Sequence, residues 1–171
     1  IIVCNENDKN TFEQLFSWTT NIDISVKYVV QLRPVGVVDA IIQTIPQIST
    51  SKIFVSLGDN IFFGTNLITN ILASTAINVP QCVFSYKVDK PEQFGVVVRN
   101  KIGHATNFVE KPNRPLSDEA ITGLYFFDVE FLKKNICKIV PSDRNELEII
   151  DYLNLSLQMG NLNIYQISRG T

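Results

Sequence analysis

Strand-like apolar runs alternate with segments of helical periodicity along the chain, and this alternation limits the possible folds most strongly. Ile1 to Cys4 is strand-like, Thr11 to Trp18 has apolar residues at helical spacing, and Val26 to Val30 is strand-like again. The alternation continues to a last strand-like run at Asn163 to Ile167, and the connections are long enough to join parallel neighbours. The pattern predicts a mixed α/β sheet with helices on both faces, in a single domain over residues 1–171.

Composition and charge argue against several classes of protein. The formal net charge is −2 and no basic run is longer than Lys133-Lys134, which argues against a nucleic-acid-binding protein. No apolar stretch reaches the ~18 residues of a membrane span, so no membrane association is expected. Three widely spaced cysteines without a CxxC pair argue against both a disulfide framework and a zinc site. The sequence predicts a soluble protein of the reducing cytoplasm.

Two groups of common motifs are missing from the sequence. The one histidine, His104, follows Gly103 in an apparent hairpin turn, so neither a histidine-based metal cluster nor a catalytic triad can be assembled. The glycines form neither GxGxxG nor GxxxxGK, so a dinucleotide fingerprint and a P-loop are both absent from the sequence.

An apolar run, FVSLGDNIFFG, is interrupted by Gly58, Asp59 and Asn60. In open α/β sheets ligands bind beyond the carboxyl ends of the strands, so a carboxylate that follows a strand lies where a site would form. The alternative is a structural role for Asp59, as a cap of the helix near Asn66 or as an Asx turn with Asn60. Position alone favours neither interpretation.

Glu110-Lys111-Pro112 ends a strand-like stretch with two adjacent opposite charges. Adjacent side chains of an extended backbone point in opposite directions, and Pro112 stops the ladder, so one of the two charges can face a pocket. The same three residues are also a common exit from a strand. Taken alone, the motif favours the structural interpretation.

The segment PSDRNELEII is typical of a helix start, with a capping Ser or Asp followed by Glu146 and Glu148 near the positive end of the helix dipole, and it predicts a helix from Glu146 to Met159. This interpretation leaves Arg144 unexplained, because a cation is mildly unfavourable in a first turn. Arg144 is held either by a bound anion or by a salt bridge to Glu146 or Glu148.

Read together, these segments resemble the glucose-1-phosphate thymidylyltransferases of the sugar nucleotidyltransferase superfamily. The resemblance covers nearly the whole chain in order, through the motifs QLRPVG (31–36), LGDNIFFG (57–64), VFSYKVDKPEQFGVVV (83–98), VEKPNRPLS (109–117), ITGLYFFD (121–128), PSDRNELEIIDYLN (141–154) and ISRG (167–170). Each motif is weak alone, whereas their succession is specific. The resemblance implies a Rossmann-like nucleotidyltransferase fold with a mixed, mainly parallel sheet and helices on both faces.

The resemblance also implies a reaction, in which dTTP and glucose 1-phosphate give dTDP-glucose and pyrophosphate with Mg²⁺ as the cofactor. The sugar phosphate oxygen attacks the α-phosphorus in line, and the protein supplies positioning and electrostatics. The implied setting is a homotetramer that serves dTDP-sugar biosynthesis, such as that of dTDP-rhamnose.

Residue roles follow from the family motifs. Three residues are implied to be catalytic: Asp59 as the Mg²⁺ ligand, and Lys111 and Arg144 as ligands of the sugar phosphate. Glu110 is implied to hold sugar hydroxyls. The other implied substrate contacts are Gly95, Gly123 and Tyr125 at the sugar, and Gln31 and Gly36 at the base.

The sequence departs from the family pattern in several places. Asp39 stands where the family usually has the Gln of Gly-Leu-Ala-Gln-Ala, which puts the base preference in question. Phe94, Asn145 and Ile150 replace a Tyr, a Gly and a Thr. The family's GGxGTR loop with its downstream lysine, and its Trp-Leu-Asp-Thr-Gly segment with a second Mg²⁺-binding Asp, have no counterpart. The expectation is therefore a piece of a longer protein, incomplete at both ends and inactive alone.

Other functions stay open on the sequence. A non-catalytic remnant of the family would bind a sugar phosphate or dock onto a catalytic homologue, and a uridylyltransferase would use UTP in place of dTTP. A soluble α/β domain of unrelated function would leave the ordered series of motifs unexplained.

Overall fold

A computed structural model describes residues 1–17, 24–63, 66–75 and 80–167. These residues pack as two compact units, of which the first comprises Ile1–Ser49 with Ile136–Ile149 and the second Thr50–Asn135 with Ile150–Thr171. The single-domain arrangement stays a prediction. Parts of the sequence patterns lie outside the described residues, namely Trp18, Gly64 and 168–170. Within the described ranges, no helix is both long and apolar enough to cross a membrane.

The first unit opens with the β-α-β arrangement that the sequence predicts. Strands β1 (Ile2–Cys4) and β2 (Tyr28–Val30) are parallel, and helix α1 (Glu6–Ser17) lies between them in the chain. Helix α2 (Val37–Thr44) follows the RPVG segment and continues into a short 3-10 turn. Val38 and Ile41, on one face of α2, are buried, so the apolar spacing of this segment is that of a helix despite its β-branched residues.

The second unit is built on a six-stranded sheet in the order β6-β5-β7-β4-β8, with β3 also paired to β7. Its strands are β3 (Lys52–Ser56), β4 (Gln81–Lys87), β5 (Gly95–Arg99), β6 (Ala105–Glu110), β7 (Glu119–Asp128) and β8 (Leu162–Gln166). The helices in this part of the chain are α3 (Leu67–Thr75), α4 (Val129–Asn135) and α5 (Ile149–Gln158).

The mixed α/β class is confirmed, but the strands are less parallel than the resemblance implied. β4 and β8 are parallel, whereas β7 is antiparallel to β3, β4 and β5, and β5 is antiparallel to β6. One reason is the tight turn at 100–103 between β5 and β6, where the Asn100 N–H donates to the His104 carbonyl oxygen at 2.8 Å. A link this short joins only antiparallel strands, whereas parallel neighbours need a crossover.

The core of the second unit is centred on β7, whose residues are buried from Glu119 to Phe127. Phe126 packs in an apolar cluster to which Ile71 of α3 contributes. The Phe127 ring meets the Tyr152 ring of α5 edge-on, with 5.4 Å between centroids. Because adjacent strand residues point to opposite faces, these contacts place helices on both faces of β7, as the sequence predicts.

Helix α5 begins at Ile149 instead of at Glu146, so the sequence-based helix start is wrong. The residues before it form a turn in which the Asn145 N–H donates to the Ser142 carbonyl oxygen at 2.8 Å. Asn145 has a φ of 62°, which a right-handed helix does not accommodate. The carboxylates expected in a first helical turn therefore lie before the helix.

Candidate functional site

A bulge in the middle of β7 disturbs the central sheet. Val83 of β4 is opposite Tyr125, and Ser85 is opposite Ile121, so one residue on β4 faces three on β7 between these pairs. The extra residues are accommodated around Thr122. Its hydroxyl donates to the Phe84 carbonyl oxygen of β4 at 3.0 Å, where the bulge interrupts the backbone hydrogen bonds between the two strands. Bulges of this kind re-aim the backbone next to functional sites.

β4 pairs with one side of β7. β3 and β5 both pair with the other side, where they lie end to end. Ser56, the last residue of β3, is opposite Leu124, whereas Val96 of β5 is opposite Ala120. Both strands are antiparallel to β7, so the carboxyl end of β3 and the amino end of β5 meet at the bulge. We call this gap the β7 opening, and define it by the turn 57–60, Gly95, Glu110, Lys111 and Gly123. In open α/β sheets ligands bind beyond the carboxyl ends of strands, and the carboxyl end of β3 lies here.

The Gly-Asp-Asn turn lies at the β7 opening and is tied to the bulge by the backbone. The Leu57 N–H donates to the Gly123 carbonyl oxygen at 2.9 Å, and the Asn60 N–H donates to the Leu57 carbonyl oxygen at 3.3 Å. Asp59 is exposed. Among the residues that the structure describes, none donates a hydrogen bond to its carboxylate, so neither the Asx turn nor the helix cap is supported there.

Gly123 is needed where the turn approaches the bulge. A Cβ atom at this position would lie 2.6 Å from Asn60 Nδ2 and 2.8 Å from Leu57 Cδ1, and its φ is 72°. Both the close approach and the left-handed backbone favour glycine. The LGDN motif indicated that Asn60 lies near the site, but its close approach to Gly123 could not be predicted from the sequence.

Gly95 and Glu110 are directly opposite each other on β5 and β6. A Cβ atom on Gly95 would lie 3.1 Å from Glu110 Oε2 and 2.7 Å from Ile150 Cδ1. The missing side chain therefore lets the Glu110 carboxylate and the Ile150 side chain pack directly against the Gly95 backbone. The structure thus brings together two of the residues matched to sugar contacts.

Tyr125 is a core residue, only 1 % exposed, and its ring stacks on Phe127 with 5.8 Å between centroids. Burial raises the pKa of the Tyr125 phenol well above its usual range, and the negative charge of Glu110 adds to the effect. Tyr125 is therefore neutral at every physiological pH. Its direct contact with a sugar stays a prediction.

Lys111 breaks the alternation of side chains that the sequence analysis assumed. Its φ is 40°, and its N–H donates to the Phe94 carbonyl oxygen at 3.0 Å. This backbone brings Lys111 Nζ to 3.9 Å from Glu110 Oε1, with the lysine side chain 54 % exposed. The expectation that the two charges point apart is therefore wrong. A left-handed non-glycine residue costs about 1–2 kcal/mol, and such strain is concentrated at ligand sites.

In the first unit, Gln31 and Gly36 lie together at the start of α2. Gln31 Nε2 donates to the Gly36 carbonyl oxygen at 3.3 Å and to Asp39 Oδ2 at 2.7 Å. Gly36 has a φ of 105°, and a Cβ there would lie 2.5 Å from the Leu147 carbonyl oxygen. Sequence reasoning placed Asp39 near the base but missed that it contacts Gln31.

Arg144 also belongs to the first unit and lies in the turn before α5. Its Nη2 donates to Glu148 Oε1 at 2.8 Å, and the side chain is 46 % exposed. The Ser142 hydroxyl donates to the same carboxylate oxygen at 2.9 Å. The salt bridge that the sequence offered as one alternative is therefore present, and the guanidinium is still accessible to an anion.

Of the two carboxylates at the β7 opening, Glu110 is paired with Lys111, and Asp59 is the one matched to a metal ion. The described part of the chain contains no group of three or more His, Cys, Asp and Glu side chains that could hold a metal on their own. Mg²⁺ is usually bound by one or two carboxylates together with substrate phosphates and water. An exposed Asp59 fits an ion of this kind that arrives with a nucleotide.

A family model described as Nucleotidyl transferase matches residues 1–171. The chain belongs to the nucleotidyl transferase family. It is 37 % identical to a glucose-1-phosphate thymidylyltransferase of Neisseria meningitidis serogroup A, over 99 % of this chain and 59 % of that protein. It is 30 % identical to the enzyme of that name from Mycolicibacterium smegmatis, over 100 % of this chain and 59 % of the relative. This nucleotidyl transferase chain thus spans about 59 % of the length of these relatives.

The fold of the family is confirmed by a solved structure. A Bacillus anthracis protein assigned as a glucose-1-phosphate thymidylyltransferase, crystallised in complex with sucrose, superimposes with a TM-score of 0.83 at 28 % identity. The match covers 98 % of this chain and 67 % of that chain. The nucleotidyl transferase fold implied by the sequence motifs is therefore correct.

Proposed function

We propose that this chain is part of a glucose-1-phosphate thymidylyltransferase, which transfers dTMP from dTTP to glucose 1-phosphate and releases pyrophosphate. The names of the relatives support the reaction. The observation that carries the proposal is the β7 opening, where Asp59, Glu110 and a strained Lys111 line one edge of a strand. Two acidic groups and one cation there suit a sugar phosphate with its metal ion.

Glu110 and Lys111 divide the recognition of the sugar phosphate between them. A carboxylate only accepts hydrogen bonds, so Glu110, whose side chain is 28 % exposed, suits the hydroxyl groups of the sugar. The Lys111 ammonium donates to the phosphate. Its left-handed backbone keeps the cation on the same side as the carboxylate, so one sugar phosphate can contact both.

Asp59 would hold Mg²⁺, which offsets the charge of the triphosphate as the phosphorus–oxygen bond to pyrophosphate breaks. The phosphate oxygen of glucose 1-phosphate attacks the α-phosphorus, and pyrophosphate leaves. No base is needed, because the attacking oxygen of an ionised phosphate carries no proton. The contribution of the chain is to orient the attacking oxygen in line with the leaving group.

The remaining contacts of the proposal rest on the family motifs. Arg144 would exchange part of its pairing with Glu148 for the sugar phosphate, for which a planar guanidinium is well suited. Gln31 and Gly36 would contact the thymine base. The wider setting proposed is a cytoplasmic homotetramer in dTDP-sugar biosynthesis, with dTTP and glucose 1-phosphate as partners and no nucleic acid or membrane.

A second candidate is a sugar-phosphate-binding chain that does not turn over. The described ranges favour it, because they contain no group of three or more His, Cys, Asp and Glu side chains that could hold a metal ion. We propose that the 171 residues bind glucose 1-phosphate but do not release pyrophosphate at the rate of the whole enzyme. Incubation with dTTP, glucose 1-phosphate and Mg²⁺ separates the two candidate functions. Rapid release of pyrophosphate would contradict the candidate that binds without turnover.

Calorimetry with glucose 1-phosphate tests the β7 opening directly. Lys111→Ala and Glu110→Gln should each weaken binding by roughly tenfold or more, because each removes a hydrogen bond that involves a charge. Lys101→Ala is the matched control, since Lys101 is exposed in the turn at the far end of the same hairpin. Equal affinities for all four proteins would refute the proposed site.

A further inference from the structure

Two amides converge on one oxygen of Asp39 at the start of α2. Gln31 Nε2 donates to Asp39 Oδ2 at 2.7 Å, and Gln43 Nε2 donates to the same oxygen at 2.6 Å. Hydrogen bonds to a carboxylate are stronger than those between neutral groups. Asp39 therefore fixes both side chains, and Gln31 is the one matched to a base contact.

The neighbours of Gln31 leave its amide only one orientation. Both groups that its nitrogen faces, the Asp39 carboxylate and the Gly36 carbonyl at 3.3 Å, can only accept hydrogen bonds. A flipped amide would place Gln31 Oε1 against the carboxylate oxygen, acceptor to acceptor. The Gln31 nitrogen has two protons, and these two acceptors engage both.

Gln31 consequently presents only an acceptor to a ligand. No residue in the described ranges donates a hydrogen bond to its Oε1, whose lone pairs can accept one from a ligand. An unconstrained glutamine can bind either a hydrogen-bond donor or an acceptor of a ligand by rotating its amide. Asp39 removes that choice.

We infer that Asp39 is a positioning residue that makes Gln31 selective for a pyrimidine with an N–H group at ring position 3. Thymine and uracil carry this proton, whereas cytosine has a bare acceptor nitrogen there. A site built around one hydrogen-bond polarity discriminates strongly against a ligand of the other, because the unmatched groups stay unpaired. The inference rests on the proposed function, in which Gln31 contacts the base.

The inference also explains the departure from the family at residue 39. A carboxylate in place of an amide does not abolish the base contact, but determines its polarity through Gln31. It does not separate dTTP from UTP, since both bases carry the N3 proton. The preference that it predicts is for thymine and uracil over cytosine.

The test compares binding of dTMP, dCMP and N3-methyl-dTMP to the whole 171-residue chain by NMR titration. The wild-type chain should bind dTMP roughly tenfold or more tightly than either of the other two. Asp39→Asn should gain affinity for dCMP, because an asparagine can also donate and lets the Gln31 amide turn over. A merely structural role would weaken both nucleotides alike. Asp143→Asn, at an exposed position, should keep the wild-type preference.

A second measurement uses the wild-type chain without nucleotide. The two side-chain N–H protons of Gln31 should exchange with solvent at least tenfold more slowly than those of an exposed glutamine such as Gln93. Exchange at the rate of Gln93 would overturn the inference, even if Asp39→Asn failed to fold. Equal binding of dTMP and dCMP to the wild-type chain would overturn the inference alone. No binding of dTMP would overturn the proposed base contact as well.

Discussion

A methyl group at Gly36 would collide with the backbone of Leu147. Its Cβ would lie 2.5 Å from the Leu147 carbonyl oxygen, 2.9 Å from the Leu147 nitrogen and 3.1 Å from its carbonyl carbon. None of these atoms belongs to a flexible side chain. Either the segment around Gly36 or the one around Leu147 must therefore move when alanine is introduced.

The cost of Gly36→Ala follows from what that movement breaks. The Leu147 N–H donates to the Val35 carbonyl oxygen at 2.8 Å, and the Val38 N–H donates to the Leu147 carbonyl oxygen at 3.3 Å. Two hydrogen bonds contribute about 1 kcal/mol each, and a Gly-only backbone conformation costs an alanine about 1–3 kcal/mol. We expect Gly36→Ala to lower the free energy of unfolding by roughly 3–5 kcal/mol.

Gly103→Ala separates the two contributions. Gly103 also has a positive φ, 85°, but no heavy atom lies within 4 Å of its virtual Cβ. It should cost only the backbone term, about 1 kcal/mol. Urea unfolding followed by circular dichroism gives both values, provided the m-value is unchanged. If the two variants lost the same stability, the predicted collision with Leu147 would be wrong.

Three further variants test the second unit. Burial alone would raise the pKa of Glu119, but hydrogen bonds from Arg99 and a serine hydroxyl outweigh it and hold the pKa below its usual value. The stabilisation from a lowered carboxyl pKa is present above the unfolded pKa and lost as pH falls through the folded one. Stability should therefore fall below about pH 4.5, the unperturbed value. Arg99→Met should make this acid-induced loss smaller in urea titrations, because it brings the folded pKa of Glu119 back towards the unfolded one, and an unchanged loss would count against the pair. Asn154→Leu should lower the free energy of unfolding by roughly 2 kcal/mol, because the Asn154 side chain accepts from the Phe108 N–H at 2.7 Å and donates to the Phe108 carbonyl oxygen at 3.0 Å. Thermal unfolding would measure this loss. Lys111→Gly should raise the unfolding free energy relative to Lys111→Ala by about 1 kcal/mol, and the reverse order would contradict the strained backbone.

The element order could be predicted from the sequence because each element carries its own local signal. The apolar ITGLYFFD segment became β7, and the alternation at the amino end became the parallel pair β1 and β2. The family motifs then located Asp59, Glu110 and Lys111 in one ordered series. The start of α5 was misplaced because a capping-type sequence also suits the turn that precedes Ile149.

The shape of the site could not be predicted, because it depends on long-range pairing. The bulge at Thr122 arises where β7 changes register against β4, and a glycine in a strand indicates at most that a bulge is tolerated. The positive φ of Lys111 likewise has no sequence signal, since left-handed lysines are uncommon. Whether Gln31 presents a donor or an acceptor to a ligand depends on Asp39, which lies eight positions further along the chain in helix α2.

The central claim is that glucose 1-phosphate binds at the β7 opening. Backbone amide NMR mapping of the 171-residue chain during titration with this ligand tests the claim most directly. The largest shifts should occur at Asn60, Gly95, Lys111 and Gly123, with little change at the far hairpin turn of residues 100–103. Saturable shifts that are confined to other surfaces, with these four amides unmoved, would contradict it.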